Sequence, residues 1–343
     1  MPHFTSAGDI RTAVIGYGSA FTMGRHHLSV MKSLGMQPAA VAELDPQRRR
    51  AAEVDFPGIA TYASAADMLR KSRANLITIV TPHHTHARLA LQCLRAGRHV
   101  ICEKPMAITT AECDRMIGEA QTRGLMITTF HNRHWDGCVA QAVRTIGRGA
   151  IGKVHRVEAR RCTYGHPGSW WRSSRRISGG ILYDWGAHFV EYALQIIDAP
   201  IKSICGFSHC GQWADQTPWN EDANEDEASA VVRFANGAWF SLTISQIDAK
   251  PNLDWFQITG TGGSYLFQHD NWQLVRPQGK TTVTTCGRNP PSRWDQFHRN
   301  ILDHLVKGQP LIITPQWSRR AIHILDLAGR SAATGRTFKA RYT

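Results

Sequence analysis

The feature that most constrains the fold is a short apolar run that ends at paired glycines and leads into a helix. Thr12–Gly16 has the composition of a strand, Gly18 lies just beyond it, and Gly24–Leu34 has the pattern of a helix. Glycine at such a turn lets the backbone approach a pyrophosphate, while the helix N-terminus supplies N–H groups and a partial positive charge. The segment therefore predicts a dinucleotide-binding strand–turn–helix unit.

The phosphate loop departs from the simplest G-x-G-x-x-G spacing. Phe21 stands where the third glycine is expected, and Gly24 takes that place only if the loop is longer. The residues of this loop that we expect to contact the cofactor are Gly16, Gly18, Ser19, Ala20 and Phe21.

The first 131 residues alternate short apolar runs with helical stretches. The further strand-like runs are Ala39–Ala42, Leu76–Val80, His99–Cys102 and Met126–Thr129. Strands that alternate with helices form a parallel sheet with helices on both faces. Residues 1–131 are therefore predicted to be an α/β, doubly wound Rossmann domain that binds a dinucleotide.

From residue 132 onward, strands follow one another with few helices between them. This pattern predicts an open, largely antiparallel sheet in an α+β domain over residues 132–343. We expect this second domain to bind the substrate and to form the oligomer. The acidic stretch at residues 221–227 is predicted to be a solvated loop. The strand-like runs are Val154–Thr163, Ser229–Ala235, Ala238–Ile247, Trp255–Thr259, Ser264–Gln268 and Trp272–Val275, and the closing helices are Arg293–Lys307 and Pro315–Ala333.

Charge and composition exclude several classes of protein. Forty Lys and Arg against 27 Asp and Glu give a net charge of +13, which favours anionic partners, but the positive residues are scattered and form no nucleic-acid module. No run approaches the ~20 apolar residues of a membrane span, and no secretory signal is evident at the start. Eight cysteines without a C-x-x-C pair indicate reduced thiols. We expect a cytoplasmic protein with neither a nucleic-acid nor a membrane partner.

Glu43, at the end of the second strand, bears on the choice between NAD and NADP. A carboxylate there accepts hydrogen bonds from the ribose hydroxyls of NAD and repels the 2′-phosphate of NADP. Arg48 and Arg49 follow shortly and favour that phosphate instead. The sequence therefore predicts NAD and leaves NADP as the alternative.

The run Glu103-Lys104-Pro105 directly follows the strand that ends at Cys102. Ligands of open α/β sheets bind beyond the carboxyl ends of the strands, so Lys104 is placed to reach a substrate. Its ammonium group can stabilise negative charge that develops on a reacting hydroxyl. The alternative is an ion pair between Glu103 and Lys104 at the surface.

Several motifs together resemble those of the Gfo/Idh/MocA oxidoreductases, relatives of glucose–fructose oxidoreductase and inositol dehydrogenase. The resemblance covers nearly the whole chain, and the motifs occur in the family's order. They are Gly16-x-Gly18, Thr81-Pro82 with His86, Glu103-Lys104-Pro105, the run from Gly179-Gly180 to Asp184 and His188, and Arg330-Ser331 with Gly335-Arg336.

The resemblance implies an NAD(P)-dependent oxidation of a secondary alcohol in a sugar, an inositol or a related cyclic polyol. It implies that Lys104 orients the substrate and that Asp184 and His188 are the catalytic pair. Residues four apart share one face of a helix, and histidine titrates near neutrality, which suits proton removal from an alcohol. The further cofactor contacts are expected at Thr81, Pro82, His86, Glu103 and Lys104.

Two other activities within the family stay open. One is a redox-neutral, NAD-dependent glycosidase or lyase, which oxidises its sugar only transiently. The other is a catalytically silent regulator that senses a dinucleotide. Retention of Lys104, Asp184 and His188 argues against the silent regulator.

The segment that leads to Gly179 is rich in aromatic and polar side chains, which suits a sugar or a cyclic polyol. The alternative is that its tryptophans pack in the core and Arg172 is exposed. Three nearby histidines, His83, His84 and His86, lack a fourth metal ligand, so no metal is predicted. With Lys104, Asp184 and His188, the expected substrate contacts are Tyr164, His166, Trp170, Trp171, Arg172 and, by resemblance, Asn132 and Arg133.

The second domain is also expected to form an interface. If helices cover one face of its sheet, the other face carries an apolar patch, and such patches are usually buried by a partner. We therefore expect a homo-oligomer, either a dimer or a tetramer.

Overall fold

A computed structural model describes residues 2–18, 22–250 and 255–340. Contacts divide the chain into two compact units, Met1–His131 with Asp295–Arg319, and Asn132–Trp294 with Arg320–Thr343. The break after His131 falls where the sequence predicts one, whereas the predicted second domain of residues 132–343 includes a segment that packs with the first unit. The functions assigned to the two domains stay predictions.

The returning segment joins the first unit through apolar and polar contacts. The ring of Phe297 lies 4.9 Å from that of Phe130, and both side chains are buried. The hydroxyl of Thr128 donates a hydrogen bond to the carbonyl oxygen of Ile313 at 2.7 Å. These partners are far apart in sequence, which is why local patterns did not reveal the grouping.

The first unit is built on a six-stranded parallel sheet, which confirms the predicted doubly wound α/β fold. Its strands are β1 (Arg11–Ile15), β2 (Gln37–Ala42), β3 (Ala60–Tyr62), β4 (Leu76–Ile79), β5 (His99–Cys102) and β6 (Ile127–Thr129), and its helices are α1 (Met23–Ser33), α2 (Pro46–Asp55), α3 (Ala65–Lys71), α4 (His86–Arg95) and α5 (Thr110–Thr122). The spatial order is β3-β2-β1-β4-β5-β6. The order reverses between β1 and β4, where such sheets bind ligands.

Local sequence explains these elements. All residues of β4 and β5 are buried, as expected for strands covered by helices on both faces. Asp45 caps α2 by accepting from the N–H of Gln47, with Pro46 in the first turn. Thr109 and Glu112 form a capping box at the start of α5.

The second unit contains a nine-stranded, largely antiparallel sheet, as predicted. Only β7 and β10 pair in parallel among the described strands of this sheet. The elements are α6 (Gly137–Gly147), β7 (Val154–Cys162), α7 (Arg175–Ser178), α8 (Trp185–Ile196), β8 (Ile201–His209), β9 (Glu227–Phe234), β10 (Trp239–Ser245), β11 (Phe256–Gly260), β12 (Gly263–Phe267), β13 (Asn271–Gln278), β14 (Thr281–Arg288), α9 (Gln296–Lys307, of the first unit), α10 (Pro315–Thr334, which continues from the first unit into the second) and β15 (Phe338–Lys339).

Helix α8 is buried over most of its length and packs on β7 and β10. A Cβ atom at Gly186 would lie 3.1 Å from Leu242 on β10, so the helix approaches the sheet closely. Phe189 on the helix packs against Phe256, which stacks on Phe267 at 4.9 Å. This core holds the first turn of α8 in place.

The acidic stretch at residues 221–227 is not the solvated loop that its composition suggested. Asp226 is buried and accepts hydrogen bonds from the N–H groups of Gln212 and Trp213. Asp222 accepts from the hydroxyl of Ser174 and from the N–H of Arg176. These carboxylates satisfy backbone groups of neighbouring loops, a role that depends on tertiary contacts.

The outward face of the second sheet differs from the expected apolar patch. Polar residues such as Glu158 and Thr243 alternate there with Val231 and Leu266, all half-buried, so apolar surface is interrupted. The expected homo-oligomer stays a prediction. In the described residues, no helix combines the length and the apolar character that crossing a bilayer requires.

Candidate functional site

Gly16 and Gly18, which follow β1, have backbone surroundings that suit a pyrophosphate. Gly16 has φ +93°, and a Cβ atom there would lie 2.0 Å from the carbonyl oxygen of Val80, so only glycine fits. A Cβ position at Gly18 meets open space within 4 Å, which leaves its backbone approachable. The predicted contacts Ser19, Ala20 and Phe21 lie outside the described residues.

Gly24 performs the packing role of the third glycine. It lies in the first turn of α1, where a Cβ atom would approach the carbonyl oxygen of Gly16 to 2.7 Å. A side chain at this position would therefore push helix α1 away from Gly16 and Tyr17. Whether the loop is longer than in the simplest spacing stays a prediction, because residues 19–21 lie outside the described part of the chain.

Glu43 ties the end of β2 to the glycine loop. It is 9% exposed, and its carboxylate accepts from the N–H of Tyr17 at 2.6 Å and from that of Asp45 at 3.1 Å. Arg49 donates to the carbonyl oxygens of Glu43 and Leu44. Each carboxylate oxygen keeps a second lone pair, so Glu43 retains the capacity to accept bonds from ribose hydroxyls.

Thr81, Pro82 and His86 follow β4, at the carboxyl edge of the sheet. His86 is fully buried, and its ring nitrogens lie 2.8 Å from the carbonyl oxygens of Thr81 and Pro105. Burial lowers the pKa of His86. The ring thus links the loops after β4 and β5, which gives His86 a positioning role behind the loop surface.

Glu103 and Lys104 follow β5, and their environment is not that of a surface ion pair. The Glu103 carboxylate accepts from the N–H of Lys104 at 3.1 Å and lies 3.2 Å from Nε2 of His27. Nδ1 of His27 lies 2.9 Å from Nε2 of His298 on α9. Burial acts to raise the pKa of Glu103, but the His27 hydrogen bond and the Lys104 charge outweigh it, so the pKa is lowered. Sequence patterns did not single out His27 or His298.

Asp184 and His188 lie at the start of α8 in the second unit. Asp184 directly precedes the helix, and its carboxylate is 2.7 Å from a guanidinium nitrogen of Arg172. His188 is 5% exposed and packs edge-on against Trp185 at 5.9 Å. The glycines before the helix, Gly179 and Gly180, both have positive φ, and side chains there would collide with Tyr183 and Glu225 respectively.

The aromatic loop residues are half-buried or exposed. Tyr164 is 58% exposed and packs edge-on against Trp213. Trp170 and Trp171 are half-buried, and the guanidinium of Arg172 lies over both rings at 5.2 and 5.1 Å. The two tryptophans are therefore neither buried in the core nor fully exposed. Both rings contact the guanidinium of Arg172, which is itself half-buried.

His166 is exposed, and its Nε2 lies 2.9 Å from the carbonyl oxygen of Gln216. Asn132 and Arg133 form part of a short 3₁₀ helix at the start of the second unit. Arg133 pairs with Asp136 at 3.1 Å and lies over the ring of Trp185 at 4.8 Å. Burial acts to lower its pKa, but Tyr192 and Asp136 together outweigh that effect, so the pKa is raised.

No group of three or more His, Cys, Asp or Glu side chains within residues 2–18, 22–250 and 255–340 is arranged to hold a metal ion. His86 of the histidine cluster is committed to backbone oxygens instead.

Comparison with known proteins identifies the family. Residues 10–131 match the family model described as an oxidoreductase family with an NAD-binding Rossmann fold, and residues 139–266 match the GFO/IDH/MocA C-terminal domain. The chain belongs to the Gfo/Idh/MocA oxidoreductase family. The resemblance predicted from the motifs is confirmed, and so is an NAD-binding domain.

Individual members of the Gfo/Idh/MocA family are similar over different lengths. An uncharacterized oxidoreductase of Schizosaccharomyces pombe, C26H5.09c, is 30% identical over 194 residues, which is 56% of this chain and 52% of that protein. The chain thus spans about half the length of this relative. The scyllo-inositol 2-dehydrogenase (NADP(+)) IolW of Bacillus subtilis is 23% identical, over 96% of this chain and 95% of its own.

A solved structure of levoglucosan dehydrogenase in complex with NADH superimposes with a TM-score of 0.82 at 20% identity, over 97% of this chain and all of that one. At this identity the likeness shows the fold. The described residues of this Gfo/Idh/MocA member fit a dinucleotide, because Gly16 and Gly18 leave the phosphate approach open and Glu43 borders it.

Proposed function

We propose that the chain is an NAD(P)-dependent dehydrogenase that oxidises a secondary alcohol of a sugar, an inositol or a related cyclic polyol. The observation that carries the proposal is the retention of Lys104, Asp184 and His188 at the positions of the family's motifs. Lys104 follows β5 beside the half-buried Glu103, while Asp184 precedes α8 and His188 lies in its first turn.

These residues have complementary chemical roles in the proposed reaction. His188 accepts the proton of the substrate hydroxyl, and Lys104 stabilises the negative charge that develops on that oxygen. Asp184 orients the substrate while Arg172 fixes its carboxylate. When bound, the nicotinamide cofactor supplies the hydride acceptor.

We propose NAD as the preferred cofactor. The buried Glu43 carboxylate is fixed by two backbone N–H groups, so a 2′-phosphate beside it would meet an immobile negative charge. Arg49 donates to backbone oxygens and Arg48 pairs with Asp45. These contacts compete with binding of the 2′-phosphate of NADP by either arginine.

A substrate screen tests the dehydrogenase. Purified protein is mixed with NAD or NADP and a panel of inositols, aldoses and anhydro-sugars, and NADH or NADPH formation is followed. We expect His188→Ala to lower kcat by about 100- to 10,000-fold, the range for removal of a general base. Lys104→Ala is expected to lower it as well, whereas His84→Ala, at an exposed histidine, leaves it unchanged.

The screen also separates the alternatives. Cofactor binding without net reduction, together with cleavage of a glycoside, would establish the redox-neutral glycosidase. Binding without turnover, unaffected by His188→Ala, would establish the regulator. Either result contradicts the proposed dehydrogenase.

We also propose that the chain forms a homo-oligomer through the outward face of the second sheet, where Val231 and Leu266 are half-buried among polar residues. Light scattering coupled to size-exclusion chromatography measures the mass directly. A single species at 38.3 kDa contradicts the proposal.

A further inference from the structure

Strand β7 places one arginine on the face that packs against helices. Val157 and Ala159 are buried, and Arg161 continues their two-residue period on the same face, where α8 packs. Arg160 occupies the opposite face, together with Glu158, which it approaches at 3.8 Å. A cation in phase with core positions is unusual, because partial burial of a charge costs free energy unless a partner compensates it.

Arg161 belongs to a cluster of three arginines around the first turn of α8. Its guanidinium lies over the ring of Trp185 at 4.5 Å, and that of Arg133 lies over the same ring at 4.8 Å. Trp185 also contacts His188, the proposed base, and Arg172 binds the carboxylate of Asp184. Arg172 therefore contacts the proposed catalytic pair directly, and Arg133 and Arg161 contact Trp185, which in turn contacts His188.

The charges in this cluster do not cancel. Arg133 pairs with the buried Asp136, and Arg172 pairs with Asp184. Among the described residues, Arg161 has neither an ion pair nor a side-chain hydrogen bond. Three guanidinium groups against two carboxylates leave one positive charge. On the next turn of α8, Glu191 is already bonded to His134 at 2.6 Å and to Gln195.

The electrostatic surroundings of Arg161 support the same conclusion. Partial burial lowers its pKa, the charge of Asp184 raises it, and the neighbouring Arg133 lowers it again. Its five N–H donors are held near the site by the Trp185 ring without being used by the described protein groups. Such a cation is arranged to receive an anion from outside the chain.

We propose that Arg161 binds the carboxylate of the substrate, so that the dehydrogenase acts on a sugar acid or a carboxylated cyclic polyol. This inference rests on the proposed function, whose substrate class it narrows. A planar guanidinium matches a carboxylate through two parallel hydrogen bonds. The one guanidinium group of the cluster without an ion pair matches a monoanion, whereas a phosphate monoester would bring about two negative charges.

Matched pairs of ligands test the inference directly. Calorimetry on the NADH-loaded protein compares D-glucuronate with D-glucose and D-galacturonate with D-galactose. Bound NADH prevents turnover of the alcohols. We expect at least one acid to bind roughly 10- to 100-fold more tightly than its neutral partner, the range of a charge-assisted hydrogen bond. D-Glucose 6-phosphate is included, and tighter binding of it than of every acid contradicts the carboxylate assignment.

Variants identify the group responsible. Arg161→Gln is expected to weaken binding of the acid by roughly 10- to 100-fold and to leave the neutral partner within about twofold. Arg160→Gln, the matched change on the opposite face of β7, leaves both affinities unchanged. Arg161→Lys keeps the charge without the planar fork and recovers part of the affinity, so it provides the test if Arg161→Gln does not fold.

The outcomes distinguish this inference from the proposed function. Acids that bind no better than their neutral partners, or an Arg161→Gln variant that binds acids like the wild type, overturn the inference. NADH formation from neutral polyols alone would then still support a dehydrogenase. Conversely, Arg161-dependent binding of acids without any NADH formation would support the anion site and overturn the dehydrogenase.

Discussion

Glu103 receives hydrogen bonds from two directions, from the N–H of Lys104 and from the ring of His27. A carboxylate only accepts, so Nε2 of His27 carries the hydrogen. In the neutral form of His27, Nδ1 then accepts from Nε2 of His298, whose pKa burial holds well below its ordinary value. This chain of three side chains fixes the carboxylate next to Lys104 and thereby positions the lysine's backbone.

Replacing the middle residue of this chain tests its contribution at the residue scale. His27→Ala leaves Glu103 and His298 without this partner, and we expect the free energy of unfolding to fall by about 1–3 kcal/mol at pH 7. The lowered pKa of Glu103 adds stability above about pH 4.3, and this stability is lost as pH falls through the folded-state pKa. The difference in unfolding free energy between the wild type and His27→Ala therefore narrows in acid. Urea unfolding measures it. His27→Gln keeps a donor and recovers part of the loss, whereas an Ala variant as stable as the wild type contradicts the prediction.

At the scale of elements, sequence patterns predicted the fully buried strands of the first sheet, whereas the nine-residue β8 of the second sheet was not predicted. Strands β1, β4 and β5 lie close to the predicted bounds because each has a continuous apolar run. The three-residue β3 and the exposed β14 carry little apolar signal and were not predicted. The role of Asp226 and the packing of α9 with the first unit depend on partners distant in sequence, which no local pattern contains.

Helix α9 provides an element-scale test of that packing. Phe297→Ala removes a buried ring that contacts Phe130, and we expect a loss of about 3–5 kcal/mol in the stability of the first unit. Hydrogen exchange of β5 and β6, read by mass spectrometry, reports that unit specifically. Arg299→Ala, on the exposed side of the same helix, is the control and changes stability by at most about 0.5 kcal/mol. Unchanged exchange in Phe297→Ala would show that α9 does not stabilise this unit.

At the scale of the whole molecule, the motifs named most of the candidate site, but the structure supplied its surroundings. Gly16, Glu43 and Lys104 follow strand ends, which the alternating pattern locates. In the first unit, His27 and His298 are linked to Glu103, and Tyr17 binds Glu43. In the second unit, Arg133 and Arg161 surround Trp185 beside His188. Each motif therefore indicates a class of chemistry, while charge and burial around it depend on the folded chain.

The first unit is expected to lose stability selectively in mild acid because it contains buried histidines that stay neutral when folded. Burial lowers the pKa of His99 to about 4 and that of His298 well below 6.5, so between these values the unfolded chain binds more protons than the folded one. Stability is then complete above about pH 6.5 and falls as pH decreases, by about 2 kcal/mol at pH 5 for His99 alone. Urea unfolding at pH 7.5 and pH 5, with hydrogen exchange of β4 and β5, measures the change.

Two variants test the contribution of His99. His99→Gln keeps an acceptor for the N–H of Met126 and should lose about 2 kcal/mol less stability than the wild type between these pH values. His84→Gln, at an exposed histidine, should lose as much stability as the wild type. An equal loss in wild type and His99→Gln would show that His99 is not a source of the acid sensitivity.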